Sequence, residues 1–301
     1  MTDLDFTPTI YSLRQIDLTH SLGTVTWLGN KEGKGLPYLP LFCVFLATSA
    51  VYWAAFGSFR FCLRKYGKSE ANQVANYMVS IVHAVLAMVF TLNMIFVSCD
   101  IPGETMFSSD ECFAQTSPGT QLSLMFNLGY FVSDLYCSSN AFGPNKETIA
   151  HHVIGIVTIL GGLWIGQFIG NTVQLVMITE CSTIFLNLVF MMRILKIEKK
   201  YPNFNIAMSL MLVLSFFVTR IIFMTSFIIF RLLPVTFSYP YSQQVPIVGY
   251  GRIVCGLLLE VLFACLMILN FTWASKLWKG FKKKITNKNV EEMDKYTSVK
   301  N

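Results

Sequence analysis

Residues 147–166 read ETIAHHVIGIVTILGGLWIG, two adjacent histidines at the head of a run that carries no further charge. A helix that crosses a bilayer needs about 20 mostly apolar residues, and this stretch nearly supplies them. The same pattern recurs along the chain, at 37–61, 72–97, 120–140, 148–169, 172–195, 206–233 and 246–275. These runs are continuously apolar rather than alternating with period two, which favours helices over barrel strands. Composition agrees: 53% of the 301 residues are hydrophobic and 13% charged, against about 25% charged in soluble domains. The expected class is an all-α polytopic membrane protein of about seven transmembrane helices.

Basic residues set the orientation. The connector after the first run holds Arg60, Arg64, Lys65 and Lys68, and the one after the fifth holds Arg193, Lys196, Lys199 and Lys200. The tail adds Lys276, Lys279, Lys282, Lys283, Lys284 and Lys288. With seven spans and an outer N-terminus, all three segments fall on one inner side. The connector 98–119 falls outside with four acids and no Lys or Arg, and those near Asn171 and at 234–245 also lack both. This obeys the positive-inside rule. The net charge of +6 flanks the spans, which suits topology control or anionic lipid headgroups and argues against nucleic acid as a partner. Residues 1–36 are polar and resemble neither a signal nor a transit peptide, so insertion is expected to rely on the first span. Six cysteines (Cys43, Cys62, Cys137, Cys181, Cys255 and Cys265) lie in or beside spans and read as small hydrophobes. Cys99 and Cys112 bracket the outer connector. An oxidising lumen would let them pair, and the spacing leaves bridged and free states both open.

Ionisable groups inside a bilayer cost at least about 2.5–3.5 kcal/mol at a helix centre and normally face a protein interior or a cavity. Here they fall on single helix faces. Asn76, Ser80 and His83 are spaced i, i+4, i+7; Asn127, Tyr130 and Asp134 i, i+3, i+7; Glu180, Thr183 and Asn187 i, i+3, i+7. Arg220 sits in the sixth span, and Arg252, Gly256 and Glu260 share a face of the seventh. His151 and His152 point about 100° apart. Polar faces on successive helices satisfy each other best by converging on one interior. By depth, His151, His152, Asp134 and His83 form a histidine–carboxylate cluster toward the inner side, and Glu180 with Arg220 a pair nearer mid-membrane.

Bland readings compete with functional ones. The Glu180–Arg220 pair reads first as an internal strut. Asn93, Asn127 and Asn187 read as interhelical hydrogen-bonders, and His83 alone as a core histidine. Arg252 and Glu260 fit either a strut or a cavity mouth. For His151 and His152 with Asp134 the functional reading is the stronger. No tetrahedral metal spacing such as HExxH is present, so no metal is expected. Gly161, Gly162 and Gly166 offer a small-residue face for close helix approach.

Five motifs follow in order: YMVSIVHAV (77–85), LGYFVSDLY (128–136), HHVIGIV (151–157), ECSTIFLNLVF (180–190) and FFVTRIIF (216–223). Over roughly residues 60–280 the chain resembles the TLC-domain family, which includes the ceramide synthases and the translocating-chain-associating membrane protein. The resemblance implies six helices in a barrel around a polar-lined cavity, preceded by one additional helix, here 37–61. It implies His151 and His152 as catalytic candidates in acyl transfer, one as base or nucleophile, with Asp134 orienting an imidazole as a triad acid does. Ser80, His83, Tyr130, Glu180, Thr183, Asn187 and Arg220 would line the cavity. The chain departs from the ceramide-synthase signature: the Ser-Tyr, Asn and Arg pattern after the histidines and the paired aspartates are missing, and Glu180, Ser182, Thr183 and Asn187 stand there instead.

The organisation expected is a polar segment at 1–36, a first helix at 37–61, a TLC domain at 62–280 and a charged tail at 281–301. The expected function is binding or regulation of membrane lipids, by sensing, trafficking or homeostasis. One alternative is an acyltransferase using His151 and His152, with acyl-CoA as substrate and no tightly bound cofactor. The other is an accessory subunit of a larger membrane complex. Membrane lipids are the expected partners, with homo-oligomers or complex subunits beside them. The expected site is the endoplasmic reticulum, with a mitochondrial or other internal membrane as the alternative.

Overall fold

The computed structural model describes residues 38–97, 103–108, 112–113, 117–141, 146–165, 167–233 and 241–298. The segment 1–36 and Cys99 lie outside them. Each of the seven expected runs is helical over nearly all of its described residues. The helices are α1 (Tyr38–Cys62), α2 (Lys68–Phe96), α3 (Pro118–Ala141) and α4 (Lys146–Ile165). Then come α5 (Gln167–Val176), a 3₁₀ turn (Met177–Glu180), α6 (Cys181–Ile194) and α7 (Pro202–Phe216). A π-helical run (Phe217–Phe223), α8 (Met224–Phe227), a second π run (Ile228–Leu232) and α9 (Tyr241–Ser298) follow. Among the described residues there is no strand. Six helical stretches are long and apolar enough to cross a membrane; α3, which carries the most polar of these faces, falls short of that standard.

Helix contacts define a closed ring. α2 packs on α3, α3 on α4, α4 on α9, α9 on α7, α7 on α6, and α6 back on α2. The ring is the six-helix barrel that the family resemblance implied. α1 stands outside it, against α3 and α2. The approach of α1 to α3 is close at Gly129, where an added Cβ would lie 2.9 Å from the Phe45 carbonyl oxygen and 2.9 Å from Thr48.

Two local features depart from expectation, and a third, the turn after α6, was not foreseen. The fourth and fifth spans were expected to meet near Asn171, but α4 ends at Ile165 and α5 begins at Gln167. Asn171 therefore lies inside a helix, buried, with its amide donating to the Phe113 carbonyl at 2.9 Å. α4 and α5 approach closely at small residues: a Cβ on Gly162 would meet Val173 at 2.9 Å and Gly170 Cα at 3.6 Å. The last span also runs far past residue 275. α9 has 58 residues, about 87 Å at 1.5 Å per residue, and no Gly or Pro in 281–298 stops it. Finally, the chain leaves α6 through a Schellman turn. Ile197 N–H bonds the Met192 carbonyl at 3.0 Å and Lys196 N–H that of Arg193 at 3.1 Å, with Lys196 at φ +56°. Pro202 then opens α7 in the first turn, where its missing N–H costs nothing.

Cys112 is disulfide-bonded, and its expected partner Cys99 is outside the described residues. Cys43, Cys62, Cys137, Cys181 and Cys265 are free thiols.

Candidate functional site

The ring encloses a cavity of about 490 Å³, lined from all six helices. It occupies the end of the bundle that carries the lysine-rich connectors. α2 contributes Asn76 and Ser80; α3 contributes Tyr130, Asp134 and Ser138; α4 contributes Glu147, Thr148, His151 and His152. Glu180 comes from the 3₁₀ turn, Ser182, Thr183 and Asn187 from α6, Arg220 from the first π run, and Trp273 and Lys276 from α9. The i, i+3, i+4 and i+7 spacings of the sequence bring these side chains to one space.

Asp134 and His152 form its best-defined contact, Oδ2 to Nε2 at 2.6 Å, with both residues buried. His152 Nδ1 lies 2.9 Å from the Thr148 carbonyl oxygen. That oxygen only accepts, so Nδ1 carries a proton and donates it. A second proton is shared between Nε2 and the Asp134 carboxylate. Both ring nitrogens of His152 are thus committed. Ser138 Oγ donates to Asp134 Oδ2 at 3.2 Å.

His151 differs. Its ring stands at 87° to that of His152, with centroids 5.7 Å apart. It meets Trp273 edge-on at 5.4 Å, and its Nδ1 is buried without a hydrogen-bond partner among the described residues. Of the two imidazoles, His151 is the one with a nitrogen lone pair to offer. Adjacent histidines on one helix turn acquire different roles because only one of them reaches Asp134.

Glu180 and Arg220 approach to 3.9 Å. Arg220 spends stronger bonds elsewhere: Nε donates to Ser182 Oγ at 2.8 Å and Nη2 to Thr183 Oγ1 at 3.2 Å. Both members of the pair sit where the helix departs from α geometry, Glu180 closing the 3₁₀ turn and Arg220 inside the π run. Such departures re-aim side chains and recur at functional sites. At the mouth, Glu147 accepts from Trp273 Nε1 at 2.9 Å and pairs with Lys276, which ties α4 to α9.

Of the residues the sequence nominates, His151, His152, Asp134, Ser80, Tyr130, Glu180, Thr183, Asn187 and Arg220 all line this cavity. His83 does not. It stacks behind Tyr130, ring centroids 3.5 Å apart, and bonds Asn127 at 2.9 Å. Its network continues through Asn127, Ser123 and Thr91, which all bond Gln174. His83 is thus the core histidine of the bland reading. Glu260 is also absent from the lining, and the Arg252 side chain lies outside the described residues. Sequence reasoning missed Ser138, Trp273 and the Glu147–Lys276 mouth. Ser138 carried a signal, one turn beyond Asp134; the mouth joins positions more than a hundred residues apart and carried none. Among the described residues no group of three or more His, Cys, Asp or Glu is placed to hold a metal ion.

The profile of the TLC domain matches residues 73–279. The chain belongs to the TLC-domain family. The match takes in every cavity-lining residue from Asn76 to Leu277, while α1 precedes it. Among curated proteins and among solved structures nothing matches this TLC-domain chain.

Proposed function

We propose that this integral membrane protein binds a membrane lipid in the six-helix cavity, with the lipid's polar part among His151, His152, Glu180 and Arg220. The observation that carries this reading is the convergence of those ionisable side chains, from three segments, on one space. Each is costly in a bilayer, and a bundle held only by packing needs none of them. The volume falls within the roughly 300–1,000 Å³ of small-molecule sites. Membrane lipids are the natural occupants of a cavity bounded by bilayer-spanning helices, and the endoplasmic reticulum is the proposed residence. The departure from the ceramide-synthase signature favours sensing, trafficking or homeostasis of lipid over ceramide synthesis.

The experiment is mass spectrometry of small molecules carried through gentle purification, comparing wild type with Thr183→Phe and Gly155→Val. Thr183 lines the cavity. A Cβ at Gly155 would lie 2.8 Å from the ring of Phe131, itself a lining residue, and would displace it. One lipid class retained by wild type and lost from both variants is expected. Equal lipid in all three would overturn the assignment to the cavity.

A second reading, acyl transfer, is favoured by the inequality of the histidines. His151 has a nitrogen free to take a proton from an attacking amine or hydroxyl, or to take the acyl group itself. His152, fixed by Thr148 and Asp134, supplies charge and orientation beside it. Acyl-CoA is the proposed donor. His151→Ala is then expected to abolish acyl transfer while lipid binding persists, read by chromatography of labelled products. Turnover that survives this change excludes His151 as the catalyst. An accessory role in a larger assembly is the outcome if neither lipid nor turnover is found and protein partners co-purify.

A further inference from the structure

α1 lies outside the TLC-domain match, and much of its surface is apolar and exposed, as at Phe42, Leu46, Val51 and Phe61. Tyr52 breaks that pattern. It is buried at 3% exposure. Its ring is fixed by Phe56, stacked at 6.5 Å and 3°, and by edge contacts with Trp53 at 5.4 Å and Tyr130 at 5.8 Å. A phenylalanine would make all of those contacts. The hydroxyl is a buried polar group in a bilayer, costly unless bonded, and it has two acceptors. It bonds Asn76 Oδ1 at 2.5 Å and reaches Asp134 Oδ1 at 3.3 Å. Asn76 Nδ2 donates to Ser138 Oγ at 3.3 Å, and Ser138 donates to Asp134 Oδ2. Tyr52, Asn76, Ser138 and Asp134 therefore close a polar circuit across α1, α2 and α3, with His152 of α4 attached at Asp134.

We propose that Tyr52 is a positioning residue for the Asp134–His152 pair, which makes α1 part of the site. Asp134 presents Oδ2 to His152 because the circuit holds the carboxylate plane, with the Tyr52 hydroxyl over Oδ1. The single hydroxyl proton has a near acceptor in Asn76 and a farther one in Asp134. A small swing of the O–H follows any change in the charge on the carboxylate. The proximity depends on Gly129, which lets α1 approach α3. The inference rests on the pair's role in the proposed site, but its test reads the pair directly and needs no ligand.

The test is solid-state NMR of the full chain in lipid with ¹⁵N-labelled histidine. A 2.6 Å N–H···O bond to a carboxylate gives a far-downfield proton, assigned to His152 by its loss in His152→Gln. In Tyr52→Phe this resonance is expected to shift or vanish while the helix content holds. In Tyr66→Phe, at an exposed position, it is expected to stay. An unchanged resonance in a folded Tyr52→Phe protein overturns the proposal. If that variant does not fold, 3-fluorotyrosine placed at position 52 keeps the ring and makes the hydroxyl more acidic. A shift of the same resonance then supports the proposal, and none refutes it. A cavity found free of lipid would sink the lipid reading and leave this result standing.

Discussion

At Asp134 two ionisable side chains share one proton inside a helical bundle, and the arithmetic of buried pairs applies. Removing one partner of such a pair costs about 3–5 kcal/mol, because the other is left charged and uncompensated. His152→Leu is therefore expected to lower stability by about that amount. The double substitution Asp134→Leu/His152→Leu should cost less than either single change, and thermal unfolding in detergent measures both. His151→Ala should cost only about 1 kcal/mol, the usual size for a point change, since its Nδ1 has no hydrogen bond to lose. Equal destabilisation by His151→Ala and His152→Leu would contradict the division of roles between the two rings. The sequence made this site partly legible. One-face spacing put Asp134, Tyr130, Ser80, Glu180, Thr183 and Asn187 together, because helical periodicity is local. It misplaced His83, because whether a ring faces the cavity or the back of Tyr130 turns on packing between helices. It ranked the two histidines equally, because only the reach of Asp134 separates them.

Among the elements, α1 and α3 meet at a contact that has no slack. At Gly129 the obstacle to a methyl group is the Phe45 backbone carbonyl, which cannot rotate away as a flexible side chain can. Gly129→Ala is expected to cost about 1–3 kcal/mol, the range for overpacking, and to loosen α1. Gly57, also in α1, has nothing within 4 Å of an added Cβ. Gly57→Ala should leave stability unchanged or raise it by up to about 1 kcal/mol. Melting temperatures of the two variants side by side test this, and a drop in both would refute the clash as the cause. Helix identity was legible throughout, since each apolar run of bilayer length became helix. The ends were less so. The reversal after Ile165 depends on which glycines face each other, and the extension of α9 to Ser298 on the absence of any stop signal rather than on hydrophobicity.

At the scale of the molecule, ring closure and charge distribution agree. The cavity lies at the end where Arg64, Lys65, Lys199, Lys200 and Lys276 lie, the side that the positive-inside rule makes the inner one. Cysteines introduced at Ser108 and at Lys199 are therefore expected to react with an impermeant maleimide from opposite sides of a sealed vesicle. Labelling of both from one side would remove a span from the topology.

The last helix closes the ring, between α4 and α7, and this bears on how the protein is made. Until α9 leaves the ribosome, the nascent bundle is an open trough, with Asp134, His152, Glu180 and Arg220 lacking their sixth wall. A chain stalled or truncated before residue 256 would present those groups to lipid, where each is costly. Assembly of the site therefore waits on the last span, and a chain that ends before it is expected to lack the cavity altogether.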